Sequence, residues 1–171
     1  VEPPRSARPG VQTLRVWYGR AYATTPGDDP RAAVAALLIA SHLRHSAGDH
    51  ETSVQLWEMA GHSVVAVLGA AYPQAAAPMR AAVEGALGDT SAGLDEAGVR
   101  EAAARVRSDL LVSARTPSGL VAAVGRALES GTSPRVLEGR IDALRGLDAR
   151  AMRSFLEALA AGPPLRAEVR P

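Results

Sequence analysis

The chain has 171 residues, of which 47% are hydrophobic and only 4% aromatic, so it is long enough for one globular domain with a core of alanine, valine and leucine. Its 19 basic and 18 acidic residues give a formal net charge of +1, which offers no electrostatic case for binding nucleic acid or an anionic membrane surface. The absence of cysteine excludes disulfides, thiolate metal sites and a cysteine nucleophile.

The first ten residues, Val1–Gly10, are rich in proline and predict a linker ahead of a single domain over residues 11–171. They contain no apolar stretch typical of a signal peptide, and no run in the chain has the length and apolarity of a membrane span. We therefore favour a cytoplasmic location. A first, half-buried strand is predicted over Val11–Ala23, where aromatic and β-branched residues mix with polar ones.

A helix is predicted over Arg31–His45, because Asp29 suits the N-cap and Pro30 the first helical position. A loop over Ser46–Glu51 follows. The strongest strand signal then covers Ser53–Ala70, in which two runs of β-branched and aromatic residues flank Ala60 and Gly61. This pattern predicts a hairpin with its turn at the glycine, and the second run, apolar at both alternating positions, predicts a central strand covered by helices.

Helical patterns fill most of the remaining chain. Pro73 opens a helix, a connection is predicted over Gly88–Gly93, and Asp95 starts a long helix with apolar residues at intervals of three and four. A break follows at Thr116–Gly119, in which Ser118 is interpreted as a cap. The next helix is predicted from Leu120 to about Glu129, ending at Gly131, and another begins at Ser133-Pro134. The last helix is capped by Asp148 and stops at Gly162, and a strand is predicted over Leu165–Arg170.

The predicted order β-α-β-β-α-α-α-α-α-β defines an α+β fold with helices packed on one face of a mixed, mostly antiparallel sheet. Such a sheet leaves its other face or its edges in need of cover. The first strand and the hairpin carry apolar residues at both alternating positions. We therefore expect a large protein–protein contact, either with a second half-domain of the same polypeptide or with another subunit.

Four phrases, in this order and spacing, resemble the pitrilysin-like (inverzincin) zinc metallopeptidases, and specifically their C-terminal, non-catalytic homology domain. The similarity covers about Val11 to Pro171, and implies that the chain is a metallopeptidase half-domain which faces a second half in a clamshell. The phrases are DDPRAAVAALLIASHL, SVQLWEMAGHSVVAVLGA, REAAARVRSDLLVSARTPSGLVAAVGRALESG and LDARAMRSFLEALAAGPPLRAEVRP.

In that family one half carries H-x-x-E-H, whose two histidines bind zinc while the glutamate activates water. This chain has no such motif, since the nearest string, His42 to His45, is one residue short and has Arg44 inside it. The resemblance therefore implies no catalytic or metal-binding residue in this chain, and zinc in a catalytic partner. It also implies that Arg44, followed by Gly48, binds the backbone of a peptide substrate, although Glu51 and Thr52 stand where the family has a tyrosine.

Three functions remain open at this stage. The chain could be the non-catalytic half or partner subunit of a peptide-processing zinc metallopeptidase, inactive alone, and helping to enclose the substrate chamber. Alternatively, it could be a structural or interaction subunit of the same fold with no peptidase role. A third interpretation is a small metalloprotein, because His42, His45 and His50 fall close together with Glu51.

Overall fold

A computed structural model describes residues 14–24, 29–45, 50–59, 61–129 and 136–171. These residues form four strands, six helices and one short 3-10 turn at Pro73–Ala75. The strands are β1 (Val16–Thr24), β2 (Glu51–Met59), β3 (His62–Ala71) and β4 (Leu165–Val169). The helices are α1 (Pro30–His45), α2 (Ala76–Ala92), α3 (Glu96–Ala114), α4 (Pro117–Glu129), α5 (Val136–Arg145) and α6 (Ala149–Ala161).

The strands form one sheet in the order β2-β3-β1-β4, and every neighbouring pair is antiparallel. Trp57 lies opposite Val64 on β3, and Trp17 on β1 lies between Ala70 of β3 and Val169 of β4. This arrangement confirms the predicted α+β fold, with its helices on one side of the sheet. The hairpin is also confirmed, with Gly61 at its turn in the left-handed region at φ 76°. Of the two hairpin strands only β3 is interior to the sheet, as predicted for the second run, because β2 forms an edge.

The hydrophobic core lies between the helices and one face of the sheet. On β3 this face presents Val65, Val67 and Ala71, which belong to the same buried cluster as residues of the helices. The fully buried side chains of Ile39 (α1), Met79 (α2), Val99 (α3), Met152 and Leu156 (α6) meet there. We call this side of the sheet the helix side. Within the described ranges, no helix is long and apolar enough to cross a membrane.

Three aspartates fix the starts of helices, as the sequence predicts. The Asp29 carboxylate accepts a hydrogen bond from the Arg31 backbone N–H at 2.9 Å. The Asp95 side chain accepts from Gly98 N at 2.6 Å, and that of Asp148 accepts from Ala151 N at 2.7 Å. Each carboxylate satisfies an N–H group that has no partner inside its own helix and complements the positive end of the helix dipole.

The connection predicted over Gly88–Gly93 is wrong, because α2 continues to Ala92. Glycine and serine disfavour a helix interior only weakly, and tertiary packing overrides them here. Thr90 and Ser91 are buried, and Arg153 of α6 donates hydrogen bonds to the carbonyl oxygens of Ser91 at 3.3 Å and Leu94 at 3.2 Å.

Other boundaries differ by a few residues. β1 begins at Val16, while residues 11–13 of the predicted first strand lie outside the described residues. Glu51, predicted in a loop, begins β2, and α4 begins at Pro117 instead of Leu120. The cap of α4 is Thr116, whose hydroxyl oxygen accepts from Gly119 N at 3.1 Å, and not Ser118. The predicted linker Val1–Gly10, Ala60 and the segment from Ser133-Pro134 to Arg135 are also outside the described residues.

Pro78 lies inside α2 without breaking it. The helix begins at Ala76, so Pro78 is its third residue and lies in the first turn, where backbone N–H groups have no helical acceptor. The preceding 3-10 turn opens at Pro73, as the helix was predicted to do.

The edge strand β4 is exposed along its whole length and is attached to the domain partly by charge. Glu168 accepts hydrogen bonds from Arg80 of α2 at 2.5 Å and from Arg170 at 2.7 Å. Its side chain is only 25% exposed. The hydrogen bond from Arg170 lowers the pKa of Glu168 below its ordinary value of 4.5 and outweighs the opposing effect of burial, and the hydrogen bond from Arg80 and the two positive charges lower it further.

Acid should therefore loosen this edge. Because the folded pKa is depressed, the contribution of Glu168 is complete above the ordinary carboxyl pKa and is lost as pH falls through the folded value. We expect Glu168→Gln to lower Tm at pH 7 and the difference from wild type to shrink below about pH 4. Thermal unfolding followed by circular dichroism between pH 3 and 7 measures this. An equal difference at all pH values would contradict it.

Candidate functional site

The side of the sheet away from the helices, which we call the open face, carries a group of exposed apolar side chains. Trp17 and Trp57 are each 47% exposed, Leu165 is 74% and Val169 is 41% exposed. The strand register places all four on this side, since they pair with Ala70, Val64 and Ala21 and with one another. The small side chains of Ala66 and Ala70 between them are buried.

Charged side chains of the sheet lie predominantly on the helix side. Among the described strand residues, Glu51 is the only Asp, Glu or Arg on the open face. The helix side carries Arg20, Glu58, Arg166 and Glu168 at the margins of the core. Two of these four form ion pairs with helices, Glu58 with Arg140 and Glu168 with Arg80. Solvent-facing sheet surfaces are normally polar, so the open face has the character of a surface that is covered in use.

Glu51 forms part of a polar cluster at one end of the open face. Its carboxylate lies 2.7 Å from the Arg15 guanidinium, which also stands over the Tyr72 ring at 5.2 Å from the centroid. Hydrogen bonds with Glu51 and then Tyr72 raise the pKa of Arg15, so it remains charged throughout the physiological range. The cluster combines a guanidinium and a phenol, both able to donate a hydrogen bond. Sequence reasoning missed it, because its three members are far apart in the chain.

Arg44 is the residue to which the family resemblance assigns substrate binding. It lies exposed in the last turn of α1. Gly48, the other residue of that phrase, is outside the described residues. Glu51 lies at the start of β2, at the position where the family that this sequence resembles has a tyrosine, and its carboxylate forms an ion pair with Arg15. The geometry thus brings Glu51 together with Arg15 and Tyr72.

The histidines show no metal-binding geometry. His45 Nδ1 lies 2.7 Å from the Ser41 carbonyl oxygen one turn earlier in α1, which accounts for one ring nitrogen. Within residues 14–24, 29–45, 50–59, 61–129 and 136–171, no three His, Asp or Glu side chains are close enough to hold a metal ion together. His42, His45, His50 and Glu51 therefore have no geometric support as a ligand set.

The order of the strands and helices and the one-sided packing of the helices are similar to those of solved zinc protease and insulinase-family chains. The inactive peptidase domain of a proposed zinc protease from Bordetella parapertussis superposes with a TM-score of 0.77 at 13% identity, over 94% of this chain and 93% of that one. At this identity the similarity is one of fold.

Two longer proteins contain the same fold. The periplasmic protease PqqL from Escherichia coli matches 94% of this chain with a TM-score of 0.75 and 12% identity. A predicted insulinase family protease from Yersinia pestis matches 100% of it with a TM-score of 0.69 and 15% identity. The chain spans only 20% of PqqL and 46% of the Yersinia protein. No protein-family model and no curated protein matches the sequence.

Proposed function

We propose that this chain is the non-catalytic half, or partner subunit, of a zinc metallopeptidase that processes peptides. In this proposal it helps to enclose the substrate chamber, with its open face toward the interior. A second half carrying H-x-x-E-H supplies the zinc and the general base. This chain contributes surface and hydrogen-bond donors, and no metal ligand.

The observation that carries the proposal is the group of exposed apolar side chains on the open face, namely Trp17, Trp57, Leu165 and Val169. In a half-domain that worked alone, these apolar side chains would have no partner or enclosed substrate to contact. The absence of H-x-x-E-H from the sequence and the likeness to a solved domain described as inactive agree with a non-catalytic role. The similar Bordetella parapertussis domain has nearly the same length as this chain, and the Yersinia protein is about twice as long. These lengths support a half-domain that works beside a second half.

Within this proposal, Arg44 binds the backbone of the substrate. A guanidinium at the exposed end of α1 can donate hydrogen bonds to peptide carbonyl oxygens whatever the side chains of the substrate. Such a contact orients an extended peptide without selecting its sequence. It should affect KM more than kcat, because the hydrogen bond forms equally in the ground state and in the transition state.

The test is reconstitution with an H-x-x-E-H half-domain encoded in the same polypeptide or in a neighbouring gene. We expect a complex on size-exclusion chromatography and cleavage of a fluorogenic peptide by the pair, with neither half active alone. Arg44→Ala should raise KM about tenfold, the equivalent of one charge-assisted hydrogen bond of ~1.5 kcal/mol. Arg105→Ala, at an exposed arginine of α3, is the matched control and should leave KM unchanged.

A second function, a structural or interaction subunit without a peptidase role, is favoured by one specific observation. Glu51 stands where the resembling family has a substrate-binding tyrosine, and it is held by Arg15. The same experiment separates the two functions. A stable complex whose partner cleaves peptides equally well with and without this chain would support the structural role and overturn the peptidase role.

A further inference from the structure

We propose that the open face binds an extended peptide segment whose side chains are uncharged and apolar. This inference rests on the proposed function and specifies the class of substrate. The residues that would make the contact are Trp17, Trp57, Leu165 and Val169.

The near absence of charged side chains on the open face indicates which class of peptide segment it would bind. Among the described strand residues the open face has Glu51 as its only Asp, Glu or Arg, and that carboxylate lies 2.7 Å from Arg15. A charged substrate side chain placed over the middle of this face would lose water and gain no opposite charge. An apolar side chain would gain free energy by leaving water. The face therefore favours uncharged over charged segments.

The edge strand β4 shows that this distribution is specific to one side. Its residues alternate between the apolar Leu165, Ala167 and Val169 on the open face and the charged Arg166 and Glu168 on the helix side. All five residues are exposed overall, although the Glu168 side chain, which pairs with Arg80, is 25% exposed, so solvent alone does not explain which side carries the charges. A strand with its apolar side turned away from its own core presents that side to another molecule.

The spacing of the tryptophans suits an extended segment. Trp17 and Trp57 lie opposite Ala70 and Val64, six positions apart along β3 and on strands that flank it. At ~3.4 Å per residue and ~4.8 Å between strands, the two indoles are roughly 20 Å apart along the sheet and about 10 Å apart across it. Six or seven residues of extended peptide cover this distance.

The area available argues against a second copy of the chain as occupant. The exposed parts of the four side chains amount to on the order of 400 Å², because a fully exposed aromatic side chain offers roughly 150–250 Å². A stable protein–protein interface needs about 800 Å² from each partner. The exposed apolar area is thus of the right size for a short peptide segment, whereas a dimer through this face would also have to bury roughly as much polar surface around it.

Intrinsic fluorescence tests the inference directly, because the chain has only two tryptophans and both are on the open face. The probe is a blocked nonapeptide with leucine at alternate positions and serine or glycine between them. Two matched peptides carry glutamate or arginine in place of leucine. We expect a saturable blue shift of the emission with the leucine peptide and at least tenfold weaker binding of both charged peptides.

Paired variants locate the contact. Leu165→Glu places a carboxylate on the open face at a highly exposed position and should weaken binding of the leucine peptide at least tenfold. Val121→Glu introduces the same charge at an apolar residue of α4 that is 70% exposed, and should leave binding unchanged. Circular dichroism of both variants confirms that each is folded.

Three results would overturn the inference: no emission change, equal binding of the charged peptides, or equal effects of the two variants. A shift that depends on protein concentration alone, with dimerisation abolished by Leu165→Glu, would assign the face to a second copy. Failure here is distinguishable from failure of the proposed function. If a reconstituted pair cleaves peptides but the leucine peptide does not bind this face, only the inference is refuted. If the leucine peptide binds but the chain neither forms a complex with an H-x-x-E-H half-domain nor supports cleavage by it, the proposed function is refuted.

Discussion

Gly69→Val should destabilise the domain by about 3 kcal/mol, near the upper end of the range for overpacked cores. Gly69 is on β3 beneath α2, where a Cβ atom would lie 2.5 Å from Met79 Sδ and 2.9 Å from Val83 Cγ2. Both side chains are fully buried, so neither has room to move away. Valine adds two further methyl groups to this contact. The helix must shift from the sheet, which separates the two layers of the core.

Urea unfolding followed by circular dichroism measures the effect, and Gly69→Ala should give a smaller loss in the same direction. The matched control is Gly88→Ala, within α2, where a Cβ atom meets nothing within 4 Å. That change should stabilise the protein by ~0.5–1 kcal/mol, because alanine loses less conformational freedom in a helix. Equal effects at the two glycines would show that Gly69 is not a close-packing position.

Leu156→Ala should cost about 2–5 kcal/mol, the range for truncating a fully buried leucine. Leu156 is on α6, is 0% exposed, and faces the core where this helix packs against α2. Truncation removes apolar contacts and leaves a cavity that rigid neighbours fill only in part. Because both helices close the core over β1 and β3, the loss should appear in a single cooperative transition.

The control is the same substitution at Leu128 of α4, which is 67% exposed. Leu128→Ala should change the free energy of unfolding by less than about 0.5 kcal/mol, as surface substitutions usually do. At roughly 2–4 °C per kcal/mol for a chain of this size, the two variants should differ in Tm by at least about 3 °C. Similar Tm values for both would place Leu156 outside the core.

Local chemistry accounts for the parts of the fold that the sequence predicts correctly. Asp29, Asp95 and Asp148 begin helices because each side chain accepts a hydrogen bond from a backbone N–H within a few residues. Gly61 marks the hairpin turn because its positive φ is a conformation that favours glycine. These hydrogen bonds join residues two or three positions apart, so both partners are visible together in the sequence.

The incorrect predictions involve partners that are distant in the chain. The sequence predicts a connection over Gly88–Gly93, where α2 in fact continues. Arg153, about 60 residues later, donates hydrogen bonds to carbonyl oxygens at the end of α2 and just beyond it. The polar cluster of Arg15, Glu51 and Tyr72 likewise depends on the register of β1, β2 and β3. The sequence shows apolar residues at both alternating positions of the strands, but only the register reveals which side the helices cover. The role of Arg44 stays a prediction.

Pairing of β1 with β4 has a consequence for how the sheet is completed. Among the described residues these are the first and last strands, and Trp17 lies opposite Val169, which emerges from the ribosome some 150 residues later. The hairpin of β2 and β3 can form from neighbouring segments, but the edge next to β1 stays unpaired until synthesis of this domain is nearly finished. For most of that time β1 presents a bare strand edge and an exposed tryptophan. The nascent chain can therefore mispair along the edge of β1, which in the finished domain pairs with only the five residues of β4.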